Sequence, residues 1–74
     1  MFKVGSVVRS IVSWPGAFCD HGTGRYFDLK PGMLAVVIRV GKYHGDPRVT
    51  VRDFEGREHT WPQVPRFWEV VTDA

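Results

Sequence analysis

Glycine and proline interrupt this chain too often for a helix to run. Gly5, Pro15–Gly16, Gly22, Gly24, Pro31–Gly32, Gly41, Gly45, Pro47, Gly56, Pro62 and Pro65 break it at short intervals. Glycine weakens a helix interior and proline ends one. No window repeats apolar residues at i, i+3, i+4 and i+7 over three turns. What lies between the breaks is β-branched and aromatic: Val7–Trp14, Leu34–Val40, Arg48–Asp53, Arg57–Trp61 and Trp68–Val71. Such runs, bounded by turn residues, predict an all-β chain of short strands.

The alternation is uneven among them. Val7, Val8, Ile11 and Val12 occupy both phases of the first run. In the second, Leu34, Val36, Ile38 and Val40 share one phase and Ala35, Val37 and Arg39 the other. The third puts Val49 and Val51 inward and Arg48, Thr50 and Arg52 outward. Glu55–Gly56 then sits at the right distance for a tight hairpin turn. Pro62 and Pro65 end the fourth run, because neither can donate to a ladder. Residues 63–67 read as an irregular or 3₁₀ turn.

With 74 residues the chain makes one domain, over 1–74. A chain of this size buries only about 60% of the surface it exposes when unfolded, so its core is small. A strand, a long connection over residues 13–33, a three-stranded meander, a brief turn and a last strand are the layout of a small five-stranded SH3-like barrel with a long first loop. Curling into a barrel would remove the sheet edges. Phe27, Phe54 and Trp68 are the expected aromatic core. Tyr26, Tyr43 and Trp61 are the expected contact residues, since exposed Tyr and Trp are common interface anchors.

No apolar run approaches the roughly 20 residues of a membrane span. The opening "MFKVGSVVRS" lacks the apolar core of a signal peptide. A cytoplasmic, unprocessed protein is the expectation. Ten basic and eight acidic residues leave a net charge of +2, which permits an acidic partner without demanding one.

Chemistry has few footholds. Cys19, His21, His44 and His59 lack the paired spacing of a structural zinc site. Cys19 beside a histidine could form a thiolate–imidazole pair, but a lone cysteine and three histidines are a weak signal. Gly22-Thr23-Gly24 is followed by Arg25-Tyr-Phe-Asp-Leu and then Pro31, so no helix starts there to face a phosphate. Two glycines that allow a left-handed turn account for it. No catalytic residue, metal or cofactor is assigned, and the chain is read as a non-enzyme. The stretch "CDHGTGRYFDLKPGM" (19–33) reads as a docking loop, shaped by its glycines and proline. Arg39, Arg48 and Arg52 point outward from neighbouring strands and predict a basic stripe. Such a stripe suits an acidic protein surface or a nucleic-acid backbone, unless acids such as Glu58 pair with it.

A set of short motifs points further: "VGSVVR" (4–9), His21 in the loop, "FDLKPG" (27–32), Val36, "KYHGDP" (42–47), "VTV" (49–51) with Phe54, His59-x-Trp61 and "EVV" (69–71). Together they resemble the SH3-like variable (alpha) subunit of plant-type ferredoxin:thioredoxin reductase over nearly the whole chain. The short segment between Pro47 and Val49 and the ending "TWPQVPRFWEVV" depart from that family. "F-x-VG-x-x-VR" with "RF-x-EVV" is similar to small SH3-like phage proteins. "HGT…PGMLAVV" is loosely similar to the nitrogenase-accessory protein NifZ and to the nitrile hydratase beta subunit. The first resemblance implies a non-catalytic accessory subunit that docks on a larger, cysteine-rich, iron–sulfur catalytic chain. One cysteine cannot itself hold a four-cysteine cluster or an internal redox disulfide. The phage resemblance implies a module that binds nucleic acid or a host protein.

Overall fold

The structure is a computed structural model that describes residues 2–62 and 67–72. The described residues form strands β1 (Val7–Ser10), β2 (Trp14–Cys19), β3 (Tyr26–Leu29), β4 (Leu34–Tyr43), β5 (Asp46–Asp53), β6 (Glu58–Pro62) and β7 (Trp68–Thr72), and no helix. The all-β class follows, and no helix among them could cross a membrane. The turn anticipated over residues 63–67 lies outside the described residues apart from Phe67.

Five strands make one antiparallel sheet in the order β6-β5-β4-β1-β7. The order leaves β6 and β7 as edges, so strand pairing does not close the sheet into the expected barrel. The long first loop is not a loop either. Its two sides pair as a β2–β3 hairpin, Cys19 with Tyr26 and Phe18 with Phe27. Pro15–Gly16, read as a break, is a bulge inside β2: the register slips between Trp14 and Phe18, and Gly16 takes φ +65°. The Gly16 amide donates to the Asp28 carboxylate at 2.9 Å and holds the bulge against β3. The first run stops at Ser10, and Trp14 belongs to the hairpin.

The hairpin exists because it carries core. Val8, Phe18, Leu29, Ala35, Val37, Val49, Val51, Trp61 and Trp68 are buried in one cluster, and Phe18 and Leu29 come from β2 and β3. Burying each such large side chain stabilises by about 1.5–3 kcal/mol, which fixes the hairpin on the sheet. Val49 and Val51 face inward as the alternation requires. On β4 the inward pair is Ala35 and Val37.

Ser10, buried at the end of β1, pins the Lys30–Met33 turn. Its hydroxyl donates to the Lys30 carbonyl and accepts from the Met33 amide, while its own amide donates to the Met33 carbonyl. Gly32, at φ +90°, donates to the Ser10 carbonyl at 2.8 Å. The end of the "CDHGTGRYFDLKPGM" stretch is thus a fixed turn.

Candidate functional site

A second bulge decides where the basic residues point. Val37 pairs with Val51 and Arg39 with Thr50, so Ile38 is an extra residue in β4. Strict alternation would put Arg39 on the face of Ala35 and Val37, inside the core. The bulge turns it outward beside Thr50. Arg48 and Arg52, two residues to either side of Thr50, share that face. The three arginines therefore come together on one face, as the stripe requires.

They are not equivalent. Arg52 donates from Nε at 3.0 Å and from a terminal nitrogen at 2.7 Å to one oxygen of Glu58, its cross-strand partner. This exposed pair contributes little stability but neutralises that end of the stripe. No carboxylate pairs with Arg39 or Arg48 among the described residues. The Arg48 guanidinium lies 5.6 Å from the centre of the Tyr43 ring. Its Nε is buried and has no hydrogen-bond partner among the described residues. The indole nitrogens of Trp61 and Trp68 share that condition but carry no charge.

Between these groups is a groove of about 280 Å³. Gly41 is its floor, opposite Arg48 in the ladder and between Arg39 and Tyr43 along β4. A Cβ on Gly41 would meet nothing within 4 Å. The Thr50 and Thr60 hydroxyls, 3.0 Å apart, form one wall, and Thr60 is also 3.0 Å from His21 Nε2. Lys42 lines the groove as well, and among the described residues no acidic one does. Asp46 stands opposite Tyr43 at the hairpin end, outside the lining.

The "CDH" segment does different work, since it covers the free edge of β6. The His21 amide donates to the Glu58 carbonyl at 2.8 Å, and the Glu58 amide donates to Asp20 Oδ1 at 3.0 Å. Asp20 also accepts from the Gly22 amide and the Thr23 hydroxyl. The Glu58 amide, then the Gly22 amide and the Thr23 hydroxyl, hold the Asp20 carboxyl below the usual carboxylate range, against the opposing effect of burial. His59 Nδ1 lies against both backbone polar groups of Cys19. Burial pushes the His59 pKa below its ordinary 6.5, helped by the His21 charge, while the Cys19 backbone bond works the other way. The two imidazoles stack with centres 5.9 Å apart. Cys19 is free and partly buried. Among the described residues, no three His, Cys, Asp or Glu side chains are grouped to hold a metal.

A larger cleft of about 880 Å³ lies between this segment and the β5–β6 turn. Arg25 and Arg57 line it together with Asp20, Glu55 and Glu58, and Arg57 is already engaged. Arg57 binds Asp53 and Glu55 at 2.7 and 2.6 Å and covers the Phe27 ring at 4.2 Å. The β4–β5 groove is the stronger candidate: among the described residues no carboxylate lines it or pairs with its two arginines, whereas Asp20, Glu55 and Glu58 line the cleft.

The aromatics divide differently from expectation. Tyr26 and Tyr43 are 69% and 62% exposed, but only Tyr43 lines the groove. Trp61, expected at the surface, is 4% exposed, because it faces inward opposite Val49. Trp68 is buried as expected, and Phe27 is partly buried against the core. Phe54 is 70% exposed rather than core: it sits in the β5–β6 turn, and the inward position before it belongs to Asp53. Trp14, half exposed and stacked on Phe67, is not among the expected contact aromatics, because in the sequence it stands at the end of a run, before Pro15–Gly16. Comparison with protein-family models, curated proteins and solved structures finds no match to this chain.

Proposed function

We propose that the chain is a non-catalytic binding module that docks on and steadies a larger partner protein through its β4–β5 face. The observation that carries this reading is the groove, with no acid in its lining among the described residues, where Arg39 and Arg48 flank the open floor at Gly41 beside the exposed Tyr43 ring. Arginine and tyrosine are the residues most often found as interface anchors. An acidic partner surface would be steered to this face by charge and held by the ring.

An SH3-like arrangement is part of the proposal. Its support is the β4-β5-β6 meander, β1 set between β4 and β7, and a hairpin in place of the long first loop. The Cys19–His21 segment then takes over the edge protection that strand pairing would supply. The resemblance to the variable subunit of ferredoxin:thioredoxin reductase makes a redox enzyme complex the favoured setting. With Cys19 as the one cysteine, the cluster and the redox disulfide would belong to the partner.

The test is recovery of the tagged chain from its native cell, compared with an Arg39→Glu/Arg48→Glu variant. A larger subunit should co-elute with the wild type and be lost from the variant while the variant's Tm holds. Visible absorption of an iron–sulfur cluster in the complex tests the redox setting. Undiminished co-elution with the variant would overturn the proposal. Binding of oligonucleotides of any sequence that weakens steeply with salt, with no co-eluting protein, would assign the face to nucleic acid.

A further inference from the structure

We infer that the groove over Gly41 is a receptor for a phosphate monoester, such as a phosphorylated side chain of the partner. The inference rests on the docking proposal for its biological setting, but the phosphate site can be tested without it.

Charge comes first. A phosphate monoester carries about −1.5 to −2 at neutral pH and offers three strong acceptor oxygens. Arg39 and Arg48 supply two positive charges with no carboxylate between them. A single carboxylate would match only one of them. Clusters of arginine are the usual receptors for phosphorylated residues, because the guanidinium fork fits phosphate oxygens.

Hydrogen bonding is the second consideration. Arg48 Nε is cut off from water and donates to nothing among the described residues. Leaving such a donor unmet is costly, more so when the group is charged. An anion seated on the glycine floor would accept from the terminal nitrogens of that guanidinium, and would meet Nε once the side chain turned toward it. The Thr50 and Thr60 hydroxyls at the wall bond to each other and Thr60 also meets His21 Nε2; when His21 donates to Thr60 and Thr60 to Thr50, the Thr50 proton is left for a ligand. The Tyr43 ring, already beside Arg48, limits how that side chain can swing.

Extent is the third. A polynucleotide needs a basic groove that follows its backbone. Here the next cation along β5 is Arg52, which Glu58 has already taken, and Asp46 lies at the opposite end beyond Tyr43. On this face, among the described residues, the cations without a carboxylate partner are Arg39, Lys42 and Arg48, which line a groove of about 280 Å³, the scale of one side chain.

The test is a titration of the ¹⁵N-labelled chain with inorganic phosphate, O-phosphoserine, acetate and a short oligothymidylate, followed by amide shifts. Phosphate and O-phosphoserine should move the Gly41, Tyr43 and Thr50 signals saturably, with Kd on the order of 1 mM. Acetate should bind at least tenfold more weakly. Arg48→Ala and Arg39→Ala should each weaken phosphate binding about tenfold or more. Gly41→Leu should abolish it by filling the floor, with Tm held, since Gly41 lies outside the left-handed region and its Cβ meets open space. Non-saturating shifts, or shifts that survive Gly41→Leu, would overturn the inference. So would oligothymidylate binding a hundredfold tighter than O-phosphoserine. If phosphate binds as described but no partner co-elutes, the docking proposal alone falls. If a partner co-elutes through this face and phosphate does not bind, the phosphate site alone falls.

Discussion

His59 Nδ1 lies 2.9 Å from the amide nitrogen of Cys19 and 2.8 Å from its carbonyl oxygen, across forty residues of chain. One neutral tautomer accepts from the amide and the other donates to the carbonyl, so the imidazole replaces a strand partner at this point. The ring faces inward opposite Val51, against Phe18 and Trp61, where an unbonded polar group would be costly. One backbone bond, from the His21 amide to the Glu58 carbonyl, and the side chains of Asp20 and His59 join the hairpin to the edge of the sheet where a closed barrel would use a ladder.

That junction makes stability depend on pH. The folded pKa of His59 lies below its unfolded value, so the unfolded chain takes up the proton more readily. The contribution is complete above about pH 6.5. It is lost as the pH falls through the lower folded pKa. Thermal melts should show the wild-type Tm dropping across this window. His59→Asn should start from a lower Tm, at a cost of about 1–3 kcal/mol, and lack this part of the slope. A wild-type Tm that stays flat from pH 7 to the onset of carboxylate titration would refute the assignment.

Asp20 governs a lower window. Its folded pKa is depressed below 3.8, so its contribution is complete above the unfolded value and disappears as acid protonates the bonded carboxylate. Asp20→Ala leaves the Gly22 and Glu58 amides without their side-chain acceptor. The variant should melt lower at neutral pH and lose less on acidification than the wild type. Amide exchange should rise at Gly22 and Glu58 first, because the β6 edge is what the carboxylate seals.

Burial separates two kinds of aromatic substitution. Trp61 touches Trp14, His59, Phe67 and Trp68, and Trp61→Ala should cost about 3–5 kcal/mol. For a domain of this size each kcal/mol shifts Tm by about 4–8 °C, so this variant should be largely unfolded at moderate temperature. Tyr26→Ala should stay within about 0.5 kcal/mol of wild type, as exposed positions do. A large loss for Tyr26→Ala would place that ring in the core.

The strands of the five-stranded sheet were legible because turn residues bound them, and the inward Val49–Val51 pair was legible from alternation alone. Two bulges were not legible: one hides the hairpin, and the other underlies the outward Arg39 that the sequence reading expected. At Pro15–Gly16 a turn signature marks an irregularity within a strand, and the whole β2–β3 hairpin was read as loop. At Ile38 nothing in the local sequence marks the extra residue, yet it alone sends Arg39 outward. Trp61 could have been placed: counting back across the β5–β6 turn sets it opposite Val49. Phe54 misled because a large aromatic was preferred for the core over Asp53, whose buried carboxylate binds the Glu55 and Arg57 amides. The arginines of the groove were visible in the sequence. Its glycine floor and the Tyr43 ring beside Arg48 depend on a register that alternation does not supply.

The β4–β5 hairpin offers the last prediction. Its two-residue turn is His44–Gly45, both with positive φ, at 49° and 84°. This is the pattern of a type I′ turn, for which Asn-Gly is the favoured pair. A histidine in the left-handed region is strained in a way that asparagine largely avoids. The His44 ring packs edge-on against Tyr43 with centres 4.3 Å apart, which recovers part of that cost. The strain should outweigh an exposed ring contact, so His44→Asn should stabilise the chain by about 0.5–1 kcal/mol. The gain should appear as a higher Tm, with phosphate binding in the groove retained. A lower Tm for His44→Asn would mean that the ring contact, rather than backbone preference, sets the conformation of this turn.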